Sequence, residues 1–286
     1  MDFHWVDVFA TGPLSGNPLV VVTGDRMPSA DRMQRLAAEF GVSETVFAEP
    51  APCPRLRIFT PEAEIPMAGH PLVGAAWVLR HIGWTGDDAV LSAPGGDVAV
   101  RADDDGAWMT RTGPAPRGHA DARALAALLG ATAVGDAPIW HAGLAQAMLE
   151  VTDLEGLAPD HEGLRAQGAA EGWDGVSAYV IRDDGRDAAG GGVVAEVRHF
   201  AAPIGIPEDP VTGSAAAALG ACLSARGALD APGEGLLTVL QGRHVGRPGR
   251  VEVQVESGPD GPRAVTVGGA VVPVATGGIG MGVAAG

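Results

Sequence analysis

Two stretches of the chain are apolar on every side, and each one begins and ends with a glycine. The first runs from Gly69 to Gly83 and the second from Gly213 to Gly227, so that in both the glycines stand fourteen positions apart. Neither stretch carries an Asp, Glu, Lys or Arg until near its end, at Arg80 and Arg226. A helix that is apolar nearly all round must be buried in the core of its domain. The pattern therefore predicts two buried helices, one in each half of the chain.

Alternating and β-branched segments surround these two helices and predict strands. In the first half these segments cover residues 3–10, 19–23, 43–47, 56–60, 90–93, 97–101 and 107–111. In the second half they cover residues 137–142, 145–151, 175–182, 193–200, 236–241, 250–256, 264–268 and 271–274. Helical spacing and capping residues predict further helices at 29–40, where Ser29 can act as the N-cap, and at 121–129 and 160–168. The glycine- and aspartate-rich residues 183–192 are typical of a turn.

A shared motif precedes each buried helix and indicates an internal repeat. Residues 57–61 read Arg-Ile-Phe-Thr-Pro and residues 198–203 read Arg-His-Phe-Ala-Ala-Pro, and each segment is followed by an acidic loop. Two similar halves with a cleft between them are the expected arrangement. The proline-containing residues 111–119 are the candidate linker. We therefore expect one domain over 1–115 and a second over 116–269, with a strand near 270–286 that returns to the first.

Composition narrows the possible functions. The 286 residues have 19 basic and 35 acidic side chains, a net charge of −16, which argues against nucleic-acid or anionic-membrane partners. All the basic residues are arginine, and without a lysine the chain can be neither a pyridoxal-phosphate enzyme nor a P-loop protein. Two isolated cysteines, Cys53 and Cys222, predict reduced thiols and a cytoplasmic protein. We expect no signal peptide and no membrane span.

Glu44 is a candidate acid/base because it lies in an otherwise apolar strand. Burial would raise the pKa of its carboxyl toward neutrality, which suits a group that takes up and returns a proton. An equally good interpretation places Glu44 on the solvent face of a half-exposed strand. The acidic run Asp103-Asp104-Asp105-Gly106 is typical of a solvated turn rather than of a metal site, since no second cluster accompanies it.

The starts of the two buried helices form the second candidate feature. The first N–H groups of a helix lack intrahelical acceptors and carry partial positive charge, and glycine lets an anion approach them. Two such ends could hold a carboxylate and stabilise negative charge on a carbon acid. His70 and Asp209 lie there, although, taken alone, His70 is more typical of a capping or packing histidine and Asp209 of a helix-initiating aspartate. The same segments offer Glu62, Glu64, Glu208, Thr212 and Ser214.

A set of short motifs along nearly the whole chain resembles the PhzF-like family of phenazine-biosynthesis isomerases. The motifs are Asp7-Val8-Phe9, Gly16-Asn17-Pro18, Ser43-Glu44-Thr45, Arg57-Ile-Phe-Thr-Pro61, Ala68-Gly69-His70-Pro71, Glu208-Asp209-Pro210-Val211-Thr212-Gly213-Ser214-Ala215, and Gln241-Gly242 with Gly246-Arg247-Pro248. The resemblance implies the diaminopimelate-epimerase-like fold. In that α/β fold, two pseudo-symmetric domains each wrap a curved, mostly antiparallel sheet around a central helix, with the active site in the cleft between them.

The same resemblance implies roles for individual residues. The strand glutamate falls on Glu44 as the acid/base, with His70 and Asp209 as further catalytic residues. The residues that would hold the substrate carboxylate are Gly69, Gly213 and Ser214. Related epimerases and racemases carry a cysteine at each helix start, where this chain has Ala68 and Asp209, so two-thiol racemisation is disfavoured. Met67 bears on the shape of the substrate pocket.

Together these features predict a cofactor-independent isomerase that moves a proton on a small carboxylate-bearing substrate, similar to trans-2,3-dihydro-3-hydroxyanthranilate isomerase. We expect no metal and no cofactor, and the resemblance implies a homodimer. Two alternatives remain. The chain can be a non-catalytic small-molecule binding member of the family, or an amino-acid epimerase, which the missing thiols disfavour.

Overall fold

The computed structural model describes residues 1–182, 192–229 and 234–280. Its α-helices are α1 (Ala30–Phe40), α2 (Gly69–His81), α3 (Ala122–Leu129), α4 (His161–Glu171) and α5 (Gly213–Ala225). The first strands are β1 (Asp2–Val8), β2 (Asn17–Thr23), β3 (Glu44–Glu49), β4 (Arg55–Phe59), β5 (Glu64–Ile65), β6 (Asp88–Ala93), β7 (Gly96–Ala102) and β8 (Gly106–Thr112). The later strands are β9 (Ala115–Ala120), β10 (Ala137–His141), β11 (Ala145–Glu150), β12 (Gly175–Ile181), β13 (Val193–Ala201), β14 (Ile206–Asp209), β15 (Glu234–Gln241), β16 (Gly249–Gly258) and β17 (Gly261–Gly278).

Contacts between residues divide the chain into two compact units. Unit 1 consists of Met1–Met109 together with the described chain after residue 268, and unit 2 consists of Thr110–Gly268. The strands β8 and β17 continue from one unit into the other. The boundary expected from the sequence lies after residue 115, and that division into domains stays a prediction.

Unit 1 surrounds helix α2 with strands. Antiparallel pairing joins β1 to β2, β3 to β4, β4 to β5, β6 to β7 and β7 to β8, while β2–β3 and β4–β6 are parallel. The last part of β17 pairs with β1 in the antiparallel sense. Helix α2 packs against β1, β2, β3, β6 and β7, and ten of its thirteen residues are buried. The expectation that this apolar segment is a buried helix is confirmed.

Unit 2 repeats the same order of pairings around helix α5. Antiparallel pairing joins β10 to β11, β12 to β13, β13 to β14, β15 to β16 and β16 to β17, while β11–β12 and β13–β15 are parallel. Helix α5 packs against β10, β11, β15 and β16. Helix α4 connects β11 to β12, as α1 connects β2 to β3. The internal repeat seen in two short motifs therefore extends to the strand pairings of both units.

A buried glycine lets each central helix approach its strands closely. A Cβ added to Gly74 in α2 would lie 2.4 Å from Leu19 Cδ2 and 2.8 Å from Val8 Cγ2. A Cβ on Gly220 in α5 would lie 2.7 Å from Val253 Cγ1. Glycine normally weakens a helix interior, but here any larger residue would have to displace the packed side chains of β1, β2 or β16.

The structure corrects three sequence-based expectations. The predicted linker at 111–119 is instead formed by the end of β8 and by β9, which pairs antiparallel with β10. The segments 264–268 and 271–274 are parts of one strand, β17. Ser29 stands at the N-cap of α1, yet its side chain makes no capping hydrogen bond, and its backbone carbonyl accepts from Arg32 and Met33 instead.

Most of the predicted turn at 183–192 lies outside the described residues. Among the described residues, no helix is long and apolar enough to cross a membrane.

Candidate active site

Glu44 is a buried carboxylate at the first residue of β3. Its neighbour across the parallel β2–β3 pairing is Leu19, and only 9% of Glu44 is exposed. Burial in this apolar setting raises the pKa of the Glu44 carboxyl, and the polar side chain of Ser43 beside it opposes the rise. The interpretation of Glu44 as a solvent-facing residue is therefore wrong. The structure gives the residue the environment of a general acid/base.

His70 faces Glu44 from the start of helix α2. The imidazole Nε2 of His70 lies 3.5 Å from Oε2 of Glu44, and His70 is 6% exposed. The helix begins one residue earlier, at Gly69, so the histidine lies in the first turn, where the N–H groups have no intrahelical acceptors. Unit 1 thus brings together a buried glutamate, an imidazole and the positive end of a helix.

A second layer of polar residues supports Glu44. The Ser43 hydroxyl donates to Oδ1 of Asn17 at 3.2 Å, and Asn17 is completely buried at the start of β2. Gly16 before it has a φ of 67°, and a Cβ there would lie 2.4 Å from the carbonyl oxygen of Val8. The Gly-Asn-Pro motif, quoted above only for its family resemblance, therefore carries the amide that orients Ser43 beside the glutamate.

Asp209 lies at the last residue of β14 in unit 2 and is 7% exposed. Oδ2 of its carboxylate accepts a hydrogen bond of 2.5 Å from the Thr212 hydroxyl. The Gln241 amide nitrogen donates to the carbonyl oxygen of Asp209 at 2.8 Å. Thr212, not Asp209, stands at the N-cap of α5, so the alternative of a helix-initiating aspartate is wrong. The sequence alone suggested no role for Gln241, although this residue belongs to the family motif Gln241-Gly242.

Both central helices begin with residues that were predicted to bind a carboxylate, namely Gly69, Gly213 and Ser214. Gly69 and His70 open α2, and Gly213 and Ser214 open α5. In neither helix does the side chain of the N-cap residue accept a hydrogen bond from these first N–H groups. This arrangement suits an anion at each helix start. The location of the active site in a cleft between the two halves stays a prediction.

Two of the acidic candidates belong to ion pairs that repeat in the two units. Glu64 accepts from Arg57 at 2.7 and 2.5 Å, and Glu208 accepts from Arg198 at 2.9 and 2.8 Å. In both units the arginine also lies over the phenylalanine two residues later, 5.2 Å from the ring centre. These glutamates therefore link the strand before each central helix to the short strand that follows it, β4 to β5 in unit 1 and β13 to β14 in unit 2. Glu62 is exposed.

The thiols and the acidic run contribute no chemistry to these sites. Cys222 is buried within α5, where burial raises the pKa of its thiol to about 11, and the Cys53 thiol donates to the carbonyl oxygen of Val90. Neither stands at a helix start. Asp103 accepts from the N–H groups of Asp105 and Gly106, which is typical of a turn. Over the described ranges, no cluster of three His, Cys, Asp or Glu side chains could hold a metal ion.

Comparison with known proteins identifies the family. The family model described as "Phenazine biosynthesis-like protein" (PhzC-PhzF) matches residues 6–277. The chain belongs to the PhzC-PhzF family. An uncharacterized isomerase of Deinococcus radiodurans is 34% identical, with 92% of this chain and 90% of that protein covered. The trans-2,3-dihydro-3-hydroxyanthranilate isomerase of Pseudomonas chlororaphis is 31% identical, with coverages of 92% and 94%.

A solved structure has the same fold as this chain. The PhzF-family phenazine biosynthesis protein of Bacillus anthracis superposes with a TM-score of 0.84 at 24% identity, covering 98% of this chain and 99% of that one. The similarity confirms the predicted mixed α/β fold. The names of the curated relatives confirm that the chain is an isomerase of this family. The roles of individual residues remain predictions.

Proposed function

We propose that the protein is a cofactor-independent isomerase that moves a proton between two carbons of a small carboxylate-bearing substrate. The observation that carries the proposal is the buried Glu44, whose raised pKa and 3.5 Å separation from His70 suit reversible proton transfer. The activity resembles the one named for the Pseudomonas chlororaphis relative, trans-2,3-dihydro-3-hydroxyanthranilate isomerase.

Glu44 performs the proton transfer in this proposal. The ionised carboxylate takes a proton from one carbon of the substrate, and the electron pair of the broken C–H bond spreads into the adjacent conjugated system. The protonated carboxyl then returns that proton to a second carbon, so that no atoms are gained or lost. The raised pKa of Glu44 lowers the free-energy cost of holding the proton on its carboxyl near neutral pH. His70 and Asp209 assist as hydrogen-bonding partners of the reacting groups.

The helix starts bind the substrate in this proposal. The N–H groups of Gly69, Gly213 and Ser214 are the proposed partners of the substrate carboxylate, because N-terminal N–H groups favour negative charge. Glycine at the first position keeps the approach to the backbone open. The same N–H groups stabilise the negative charge that develops as the proton leaves carbon.

The proposal is tested by comparing Glu44→Gln with Glu49→Gln, which makes the same change at the other end of β3. Each variant is incubated with trans-2,3-dihydro-3-hydroxyanthranilate in D2O, and mass spectrometry follows product formation and deuterium uptake. We expect Glu44→Gln to lower turnover by at least about 100-fold, the scale of lost general acid/base catalysis. Glu49→Gln is expected to stay near the wild-type rate. Near-normal activity of Glu44→Gln would exclude the assignment of Glu44.

The same assay separates an enzyme from a binding protein. An isomerase exchanges deuterium into the substrate or converts it, whereas a non-catalytic family member binds the compound without incorporating label. Binding of trans-2,3-dihydro-3-hydroxyanthranilate without label or product would therefore overturn the proposal.

We further propose that the protein works as a homodimer in the cytoplasm. The support is the family membership for the dimer and the two free thiols for a reducing compartment. Sedimentation equilibrium of the purified protein tests the first point, since a monomer at micromolar concentration would contradict it. Fractionation of the source cells tests the second.

A further inference from the structure

We propose that Gln241 is a positioning residue that orients the Thr212 hydroxyl toward Asp209 and away from the start of helix α5. The inference rests on the proposed role of Asp209 in the isomerase. It is drawn from a hydrogen-bond network that joins the end of β15 to the segment before α5. Gln241 and Asp209 are 32 positions apart in sequence, and Gln241 is 3% exposed.

The orientation of the Gln241 amide follows from its neighbours. The Thr212 backbone N–H, which can only donate, points to Oε1 of Gln241 at 3.3 Å. The carbonyl oxygen of Asp209, which can only accept, lies 2.8 Å from Nε2. The amide nitrogen must therefore face Asp209 and the amide oxygen must face the Thr212 backbone.

This orientation determines what the Thr212 hydroxyl does. Nε2 of Gln241 also lies 3.1 Å from Oγ1 of Thr212 and donates to it. Since the hydroxyl accepts from Gln241, its own hydrogen is directed to another acceptor, which is Oδ2 of Asp209 at 2.5 Å. Gln241 thus aligns the threonine so that one carboxylate oxygen of Asp209 is held in place.

A second observation supports the same role. Threonine at an N-cap normally accepts a hydrogen bond from the N–H groups of the first helical turn. Thr212 is the N-cap residue of α5 but makes no such bond. Its hydroxyl is engaged by Gln241 and Asp209, so it does not compete for the helix N–H groups that are proposed to bind the substrate carboxylate.

The backbone next to Gln241 lies very close to the segment that Gln241 contacts. Gly242 has a φ of 91°, and a Cβ there would lie 2.6 Å from the carbonyl oxygen of Pro210 and 2.2 Å from that of Arg247. Only glycine permits this conformation and this closeness. The packing places the amide against the Asp209–Thr212 segment.

The test is Gln241→Glu, which is nearly isosteric but cannot donate a hydrogen bond when ionised. Gln254→Glu on β16 is the matched control for an added carboxylate in unit 2. Turnover and deuterium exchange of trans-2,3-dihydro-3-hydroxyanthranilate are measured from pH 5 to pH 9, with melting temperatures over the same range. At pH 8 we expect kcat of Gln241→Glu to fall by about tenfold, the effect of losing two hydrogen bonds, with a smaller change in KM.

Acidification distinguishes this role from a general loss of structure. The introduced carboxyl of Gln241→Glu regains one O–H donor when it is protonated. Relative to the wild type at the same pH, the activity and melting temperature of this variant should therefore recover as the pH falls, while Gln254→Glu follows the wild type throughout. Thr212→Ser should retain most of the activity that Thr212→Val loses. Equal behaviour of Gln241→Glu and Gln254→Glu, or a loss that does not depend on pH, would overturn the inference.

Two further variants separate this inference from the proposed function. Glu44→Gln and Asp209→Asn are assayed in parallel. If they keep wild-type activity, the proposed function fails, and with it the catalytic meaning of the network. If they are impaired while Gln241→Glu is not, only the inference about Gln241 fails. If the wild type does not convert the probe, recovery of the Gln241→Glu melting temperature on acidification decides whether the network exists.

Discussion

Glu44 and Gly175 occupy equivalent positions in the two units. Each is the first residue of its strand, and each faces a residue of the preceding parallel strand, Leu19 in one case and Gln146 in the other. The next residues, Thr45 and Val176, pair with Phe59 and Phe200, the aromatic residues of the repeated Arg-x-Phe motif. The repeat thus places a buried carboxylate at this position in unit 1 and a glycine in unit 2, which agrees with the proposed proton transfer by a single base.

Replacing Gly175 by a larger residue is expected to destabilise the protein, because two buried polar side chains fill the space beside it. A Cβ there would lie 2.6 Å from Oε1 of Gln146 and 2.7 Å from Nε2 of His199, whose Nδ1 is hydrogen-bonded to Ser177. We expect Gly175→Ala to lower the free energy of unfolding by about 1–3 kcal/mol, the cost of overpacking. Chemical denaturation measures this. Gly86→Ala, where the nearest atom lies 4.0 Å away, is the control, and equal stabilities of both variants would contradict the prediction.

Replacing Glu44 is expected to stabilise the protein at high pH while it removes activity. Because burial raises the pKa of the folded-state carboxyl, folding favours the protonated form. That contribution is complete below the unfolded pKa and is lost as the pH rises through the folded pKa. Glu44→Gln should therefore melt at a higher temperature than the wild type at pH 8, with a difference that shrinks toward pH 4. A variant that is less stable than the wild type at pH 8 would show that the ionised carboxylate is compensated by its neighbours.

The repeated arginine–glutamate pairs predict unequal losses of stability in the two units. The Arg198–Glu208 side chains are 10% and 15% exposed, whereas the Arg57–Glu64 side chains are 37% and 33% exposed. Removing one partner of a buried pair leaves an uncompensated charge and costs about 3–5 kcal/mol. Solvent screens the exposed pair, which contributes about 1 kcal/mol or less. Denaturation of Glu208→Ala and Glu64→Ala measures both, and similar losses would refute the role of burial.

The sequence by itself determined the local elements and the repeat. Helices α2 and α5 are apolar on every face, and strands such as β16 alternate between buried and more exposed positions over most of their length, so the local pattern of apolar residues identifies them. The family motifs also named Glu44, His70 and Asp209, because short motifs in a constant order are visible without coordinates. Periodicity missed the short strands β5 and β14 and also β9, where prolines and glycine imitate a linker and pairing with β10 forms the strand.

Only the tertiary structure decided which side chains meet and how deeply they are buried. The sequence around Glu44 fits a buried strand and a half-exposed one equally well, and packing of α2 against β3 decides between them. The contacts of Gln241 with Asp209 and Thr212 join residues far apart in sequence through strand pairing that no local pattern encodes. Local propensity acts over a few residues, whereas burial and hydrogen bonding between distant segments depend on the whole fold, and the chemistry proposed for this protein depends on them.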